Sequence, residues 1–320
     1  MNKLIGITIG DIDGIGIELL IRLWKKKEIK NFFLITNDKL FKKYLDLKKT
    51  RLKIKHFNQN EKINNNFFYI YNIDARINEV NTINSLKESY KLAKKGICYS
   101  IINLPLNKEK IINIDRSFMG QTEFYQKLDN KNISNMIFYS KKIIIFTLST
   151  HIPLNKVVQY LKKKNLIFNK IKNFNKTLKQ DFNIKKPKII IAGINPHAGE
   201  NGKLGKDEIR YLEPEIKKLQ NINIDIKGPY SADTLFNNKN IENYDAFICN
   251  YHDQALIPLK IISGFNAINF TGSLSIIRLS PDHGTAYNLI GKKIANVNSL
   301  KNCFIVAKKI FNNRKLNAET

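Results

Sequence analysis

The sequence is poor in the features that mark membrane, secreted and modular proteins. No apolar run in its 320 residues approaches the ~18 needed to span a bilayer. The apolar stretch at the N-terminus is short and closed by Asp11, which makes it a poor signal peptide. There are only three cysteines, Cys98, Cys249 and Cys303, and no two are close in sequence. That sparse, odd set argues against a disulfide framework and for a reducing, cytoplasmic setting. No Gly/Ser-rich or Pro-rich linker divides the chain, and no internal repeat is visible. The length allows one large domain or two ordinary ones at ~100–200 residues each. If there are two, the chain crosses between them more than once.

Arginine is also scarce. The net charge is +27, from 54 basic and 27 acidic residues, and the excess is almost all lysine. A surface selected for nucleic acid would use more arginine, the better fork for phosphates and base edges. The lysines are scattered along the chain rather than gathered in one tract. The balance therefore reads as compositional drift toward Lys, Asn and Ile, and a nucleic-acid partner is not expected. It still favours anionic ligands in a loose way.

What is present is a repeating β-then-α pattern, with enough apolar material (43%) for a sizeable core. Lys3–Ile9, Phe32–Thr36, Cys98–Leu104, Ile143–Leu148, Lys188–Ile194 and Ala246–Cys249 read as strands. Ile17–Lys27, Asn84–Lys95, Leu154–Phe182 and Asp207–Gln220 read as helical, with Gly96 as the stop of the second. Asn58–Asn66 reads as a polar loop. Such alternation predicts an α/β fold, a mainly parallel sheet with helices on both faces.

Five loops follow predicted strands and carry polar or small residues unsuited to a core: Gly10–Glu18, Pro105–Lys108, Ser149–Pro153, Asn195–Glu200 and Tyr251–Gln254. In open α/β sheets, ligands sit beyond the carboxyl ends of the strands. Of the five histidines, His151, His197 and His252 each directly follow a strand. Three imidazoles at strand ends can converge on one divalent cation and leave positions open for substrate oxygens. Each can equally be a loop cap held by a hydrogen bond, and spacing alone leaves both readings open. Gly10-Asp11-Ile12-Asp13-Gly14-Ile15-Gly16 lacks the full Gly-x-Gly-x-x-Gly spacing, so a Rossmann fingerprint is rejected in favour of a tight βα turn. Asn195–Asp207 is either a mobile loop or one that closes over a ligand. Lys260, Asn269 and Arg278 either snorkel at the surface or clamp a phosphate or carboxylate.

The motifs taken in order resemble the 4-hydroxythreonine-4-phosphate dehydrogenase family of vitamin B6 biosynthesis. The resemblance runs essentially end to end. Its carriers are Ile7–Asp11 with Gly14-Ile15-Gly16, Pro105–Lys108, Gly120-Gln121-Thr122-Glu123, Thr150–Leu154, and Asn195–Glu200 with Leu204-Gly205. Gly228-Pro229 with Ala232-Asp233-Thr234, Tyr251–Gln254 and Asp282–Ala286 complete the set. The Asn-Pro-His and Tyr-His-Asp-Gln segments are the most specific.

The resemblance implies two α/β/α domains with a cleft between them, similar to isocitrate and isopropylmalate dehydrogenases. The first is expected over 1–118 plus 276–320 and the second over 119–275. It further implies a homodimer with the active site at the subunit interface, and one divalent metal (Zn, Mg or Co) on His151, His197 and His252, one ligand coming across that interface. Gln121, Thr122, Lys260, Asn269 and Arg278 are the implied substrate contacts, and Asp233, Asp253 and Lys260 the candidate bases. NAD, or NADP, is assigned to the segment containing His283, Gly284, Thr285 and Asn296. The implied reaction oxidises 4-phosphooxy-L-threonine to 2-amino-3-oxo-4-phosphooxybutanoate, which decarboxylates to 3-amino-2-oxopropyl phosphate.

Four positions depart from the family pattern. Gln121 stands where the family usually has histidine, and glutamine cannot carry positive charge. Ile12 and Ile17 replace prolines, and Asn250 replaces an apolar residue. The departure at Gln121 keeps open a related phosphorylated threonate or erythronate as substrate. An inactive relative binding nucleic acid or acting as a scaffold is the reading from another class. A phosphate acyltransferase of related fold would not need three metal-binding histidines.

Overall fold

A computed structural model describes residues 4–319, so Lys3, at the start of the first expected strand, lies outside the described residues. In chain order the elements begin β1 (Ile5–Thr8), α1 (Ile15–Lys25), β2 (Phe32–Thr36), α2 (Asp38–Leu47), β3 (Ile54–His56), β4 (Phe68–Asn72), α3 (Asn78–Lys94), β5 (Ser100–Asn103), α4 (Lys108–Ile112) and α5 (Gln121–Leu128). They continue β6 (Asn135–Tyr139), β7 (Ile144–Thr147), α6 (Val157–Leu161), α7 (Leu166–Gln180), β8 (Lys188–Ala192), α8 (Glu213–Asn221), β9 (Asp225–Tyr230), α9 (Ala232–Leu235), α10 (Asn238–Asn243), β10 (Ala246–Cys249), α11 (His252–Ser263) and β11 (Ile268–Gly272). The chain then returns through β12 (Arg278–Pro281) and α12 (Asn298–Glu319). Two compact units result: Met1–Lys131 with Leu274–Phe311, and Asn132–Ser273 with Asn312–Thr320.

In the first unit the strands run β3-β4-β2-β1-β5-β12, all parallel. β1, β2 and β5 are buried along their whole length. Strands covered on both faces are expected to be continuously apolar in this way. α3 begins at Asn78, ahead of the helix expected from Asn84, because much of its core face is polar. Asn81 donates to Thr36 Oγ1 at 3.0 Å, Thr82 to the Gly10 carbonyl at 2.6 Å and Ser85 to the Ile35 carbonyl at 2.7 Å. All three residues are buried. They fasten the helix to the strand ends with hydroxyls and an amide, a pattern that apolar periodicity does not register.

The expected boundary at 118 falls ahead of the observed one at Lys131. The reason is α5. Its Tyr125 is fully buried, its hydroxyl lies 2.8 Å from Ser89 Oγ, and it accepts from Asn103 Nδ2 at 2.8 Å. Gln121 and Thr122 therefore travel with the first unit. At the other end, Arg314 donates to Asp181 Oδ1 at 2.6 Å and Asn313 to the Asp181 carbonyl at 2.7 Å, so the last residues belong with the second unit.

In the second unit the order is β11-β6-β7-β10-β8-β9. β7, β10, β8 and β9 are parallel neighbours, whereas β6 pairs antiparallel with both β7 and β11. The link from β6 to β7 is a tight turn: Ser140 N–H donates to the Ile143 carbonyl at 2.9 Å, and Ser140 Oγ accepts from Ile143 N at 3.2 Å. So short a link cannot make the crossover that parallel pairing needs. The helical stretch expected over Leu154–Phe182 is interrupted ahead of α7, where Asn165 takes a left-handed conformation at φ 58°.

Tyr125→Phe removes a buried hydroxyl and leaves Asn103 and Ser89 short of a partner. It should destabilise the protein by ~1–3 kcal/mol, measured as a lower midpoint of chemical denaturation.

Candidate active site

The three histidines sit at the carboxyl ends of neighbouring parallel strands: His151 after β7, His252 after β10 and His197 after β8. Buried amides lace those strand ends together. Ser149 N and Oγ both donate to the Asn250 carbonyl, at 3.1 and 2.6 Å. Asn250 Nδ2 donates to the carbonyls of Ala192 and Gly193 at 2.9 and 3.0 Å. Gln254 accepts from Asn250 N at 2.7 Å and donates to the Gly193 carbonyl at 2.8 Å. Asn250, a departure from the family pattern, is thus a crosslink between the ends of β10 and β8, although its Oδ1 is buried without a hydrogen-bond partner.

The His151 and His252 rings lie 6.1 Å apart between centroids. With metal–nitrogen bonds of ~2.0–2.1 Å, one ion between the rings can reach both. His252 Nδ1 is 2.7 Å from Asp253 Oδ1. Such a contact fixes the ring and leaves Nε2 as the donor, as carboxylates do behind metal-ligating histidines. His151, Leu154, Val157, Tyr251, His252 and Asp253 line an open depression.

His197 sits on a different kind of support. Residues 197–201 all have left-handed backbones, with φ of 50°, 51°, 78°, 46° and 55°. For residues other than glycine this costs ~1–2 kcal/mol each. Glu208, which the sequence reading missed, offsets it. Its carboxylate is buried and accepts from Ile194 N at 2.7 Å, Asn195 N at 2.6 Å and Asn195 Nδ2 at 3.0 Å. Burial pushes its pKa up, but the bonds from Asn195 and Ile194 outweigh it, and the pKa falls below its ordinary value. Gly199 is required beside it: a Cβ there would stand 2.6 Å from Glu208 Oε2. The signal in the sequence was the Asp207-Glu208 pair at the start of a helical stretch, close after the Asn-Pro-His loop.

Asp233 is exposed and accepts from Ser231 Oγ at 2.6 Å and Thr234 N at 3.0 Å. The Ser231 bond is the main cause of its lowered pKa, and the His197 charge adds to it. Asp253 is committed to His252. Lys260 is exposed on α11, and Asn269 lies on β11 with a buried Oδ1 that has no hydrogen-bond partner. Among the described residues, no group of three or more His, Cys, Asp and Glu side chains is gathered to hold a metal. The donor chemistry fits a divalent transition metal as a histidine pair, with further ligands still to be supplied.

Arg278, Gln121 and Thr122 belong to the first unit, apart from Lys260 and Asn269 in the second. Arg278 is fully buried. Its Nε donates to Asn103 Oδ1 at 2.5 Å, its Nη2 to Gln121 Oε1, and its guanidinium lies 5.8 Å from the Tyr125 ring centroid. Burial lowers its pKa to about 10, so it stays cationic at neutral pH. Gln121 Nε2 donates to the Leu104 carbonyl at 3.2 Å. The glutamine thus links the buried cation to the end of β5 without adding a second positive charge. Thr122 is buried at the start of α5.

The segment assigned to the nucleotide also lies in the first unit. His283 Nδ1 is 3.0 Å from the Gly284 carbonyl. Thr285 O accepts from Ile15 N at 2.8 Å, and Asn296 Oδ1 accepts from Asn298 N at 2.8 Å at the start of α12. A Cβ at Gly284 would meet nothing within 4 Å. Nearby, Asp11 accepts from Tyr287 and pairs with Lys110 at 3.2 Å. Burial lowers the Lys110 pKa, but its bonds to Asp11 and Asp13 prevail and hold it above its ordinary value. Lys110 and Tyr287 were not singled out from sequence.

The family model described as pyridoxal phosphate biosynthetic protein PdxA matches residues 28–307. A 4-hydroxythreonine-4-phosphate dehydrogenase from Zymomonas mobilis is 33% identical, covering 99% of this chain and 98% of its own. The enzyme of that name from Aquifex aeolicus is 34% identical, covering 93% and 95%. The crystal structure of 4-hydroxythreonine-4-phosphate dehydrogenase from Klebsiella pneumoniae superposes with a TM-score of 0.82 at 26% identity, covering 97% and 99%. A branched-chain phosphotransacylase from Enterococcus faecalis shares the fold alone, at 11% identity and a TM-score of 0.54.

Fold and relatives define the class as an α/β dehydrogenase. Within that class, the chain belongs to the PdxA family of vitamin B6 biosynthesis, and it is an enzyme.

The Glu208 support is sensitive to acid. Because its pKa is lower in the folded chain, its contribution is fully present above the ordinary value of 4.5 and is lost as pH falls through the lowered one. Glu208→Gln should be less stable than wild type at neutral pH, with the gap narrowing in acid. Denaturation midpoints of both proteins across that range check this.

Proposed function

We propose that the enzyme oxidises 4-phosphooxy-L-threonine with NAD or NADP and a divalent metal, giving a 3-keto acid that loses carbon dioxide to leave 3-amino-2-oxopropyl phosphate. The observation that carries this is the pair of imidazoles 6.1 Å apart at adjacent strand ends, in a chain of this family. His151 and His252 would hold the metal. His197 is the third proposed ligand, reached through its own loop or from a second copy. When bound, the metal supplies Lewis acidity toward the substrate hydroxyl and the neighbouring carbonyl, and the nicotinamide supplies the hydride acceptor.

The chain's own groups do the rest. Asp253 holds the His252 ring by Nδ1. Buried Arg278 holds positive charge beside Gln121, and with Thr122 it is the proposed phosphate contact. Lys260 and Asn269 are further proposed substrate contacts. Asp233, Asp253 and Lys260 are the candidate bases. The lowered pKa of Asp233 keeps it ionised and able to accept a proton, though weakly. Asp253 serves as the orienter of His252, which leaves Asp233 and Lys260 as the remaining candidates. His283, Gly284, Thr285 and Asn296 remain the proposed cofactor contacts. A related phosphorylated threonate or erythronate is a second reading, supported by Gln121 at the phosphate position.

A homodimer is part of the proposal. Ile257 (61% exposed), Ile261 (80%) and Phe265 (68%) recur every four residues along α11 and just beyond it, with Leu154 (68%) also bare. Apolar residues so aligned on the helix that begins at His252 mark a contact surface more than a chance scatter. No helix among the described residues is long and apolar enough to cross a membrane. The three free thiols are all buried, which suits the proposed cytoplasmic setting.

Purified protein with NAD, divalent metal and 4-phosphooxy-L-threonine should produce NADH, and EDTA should stop it. No NADH under those conditions would reject the assignment, while turnover of a threonate or erythronate phosphate instead would move it to the second substrate. His252→Ala should lower metal affinity by at least 10-fold in calorimetric titration. Ile261→Asp should shift the protein toward monomer in sedimentation velocity.

A further inference from the structure

The segment 283–296 contains almost no regular structure beyond the short turn Tyr287–Leu289. α1 holds it at successive points. Ile15 N–H donates to the Thr285 carbonyl at 2.8 Å. Glu18 Oε2 accepts from Gly291 N at 2.8 Å. Arg22 Nη1 donates to the Lys293 carbonyl at 3.0 Å, and Nη2 to the Ala295 carbonyl. Positions 15, 18 and 22 share one face of a helix, so the loop runs along α1 as a strap fastened turn by turn. Gly14 lets it come close: a Cβ there would stand 3.2 Å from Thr285 Cβ. Midway, Tyr287 donates to Asp11 and accepts from Asn107 at 3.0 Å.

The two side-chain fasteners act on backbone, not on side chains, so they fix the path of the loop whatever residues it carries. Each also suits its helix end: Glu18 lies in the first turn and Arg22 in the last, where the helix dipole favours an acid and a base respectively. Glu18 Oε1 is buried with no hydrogen-bond partner. The carboxylate therefore keeps one oxygen in reserve for a further donor.

We infer that Glu18 and Arg22 are positioning residues for the nucleotide, acting by strapping residues 283–296 into the shape that binds it. This rests on the proposed placement of the cofactor at that segment. Neither residue is among the proposed cofactor contacts.

The test uses full-length wild type, Glu18→Ala, Glu18→Gln and Arg22→Ala. Lys292 and Lys293 are exposed, so limited trypsin digestion read by mass spectrometry reports how often the strap opens. NADH fluorescence titration reports the cofactor, and metal titration serves as the control. Both alanine variants should be cut at Lys292 and Lys293 roughly 10-fold faster and bind NADH roughly 10-fold more weakly, with metal affinity unchanged. Glu18→Gln, which keeps an acceptor for Gly291, should fall between. Equal cleavage in variants and wild type would overturn the strap. Faster cleavage with unchanged NADH affinity would overturn the positioning role. Wild type that resists cleavage yet binds no NADH would overturn the cofactor placement, and the positioning role with it, while the strap itself stood.

Discussion

The proposed chemistry depends on the lacing of three strand ends by buried amides. Asn250 and Gln254 join the turn before His252 to the Gly193 carbonyl that leads toward His197, and Ser149 ties in the segment before His151. Neutral amides suit the task. They satisfy backbone groups that have run out of sheet partners, and they place no charge beside a prospective metal. Each such bond contributes only ~0.5–1.5 kcal/mol net. Its larger effect is to fix the starting geometry of three loops at once, which preorganises ligands far apart in sequence.

The two units support their sites by different means. In the second, a charged group, Glu208, holds a strained left-handed segment, and local strain of this kind tends to be kept where function needs it. In the first, a buried cation lies against two side-chain amides and an aromatic face. Arg278 keeps its charge at neutral pH even though burial lowers its pKa. Preorganised positive charge of this sort is what recognition of an anionic substrate group calls for. The scattered lysines add a general bias toward anions, which screening by salt weakens.

Much of this was legible in the sequence where hydrophobicity alone decides structure. Phe32–Thr36 and Ala246–Cys249 were read to the residue, because both are short apolar runs buried on two faces. The histidine-bearing loops were legible because polar residues directly follow such runs. α3 was read short, since Asn81, Thr82 and Ser85 bury polar groups that only tertiary hydrogen bonds make affordable. Glu208 and Tyr125 escaped notice for the same reason, and Asn250 stood out only as a departure from the family pattern: a buried polar residue looks like a surface one until its partner is known. The antiparallel pairing of β6 with β7 depends on a tight turn at Ser140–Ile143, whose consequence for strand direction apolar runs do not reveal.

The most direct measurement is anomalous diffraction from crystals of the full chain grown with cobalt or zinc. The account predicts one strong peak within bonding distance, ~2.0–2.2 Å, of ring nitrogens of His151 and His252, with His197 of the same chain or of a second copy completing the set. A metal bound elsewhere, with both of those rings turned away from it, would contradict it.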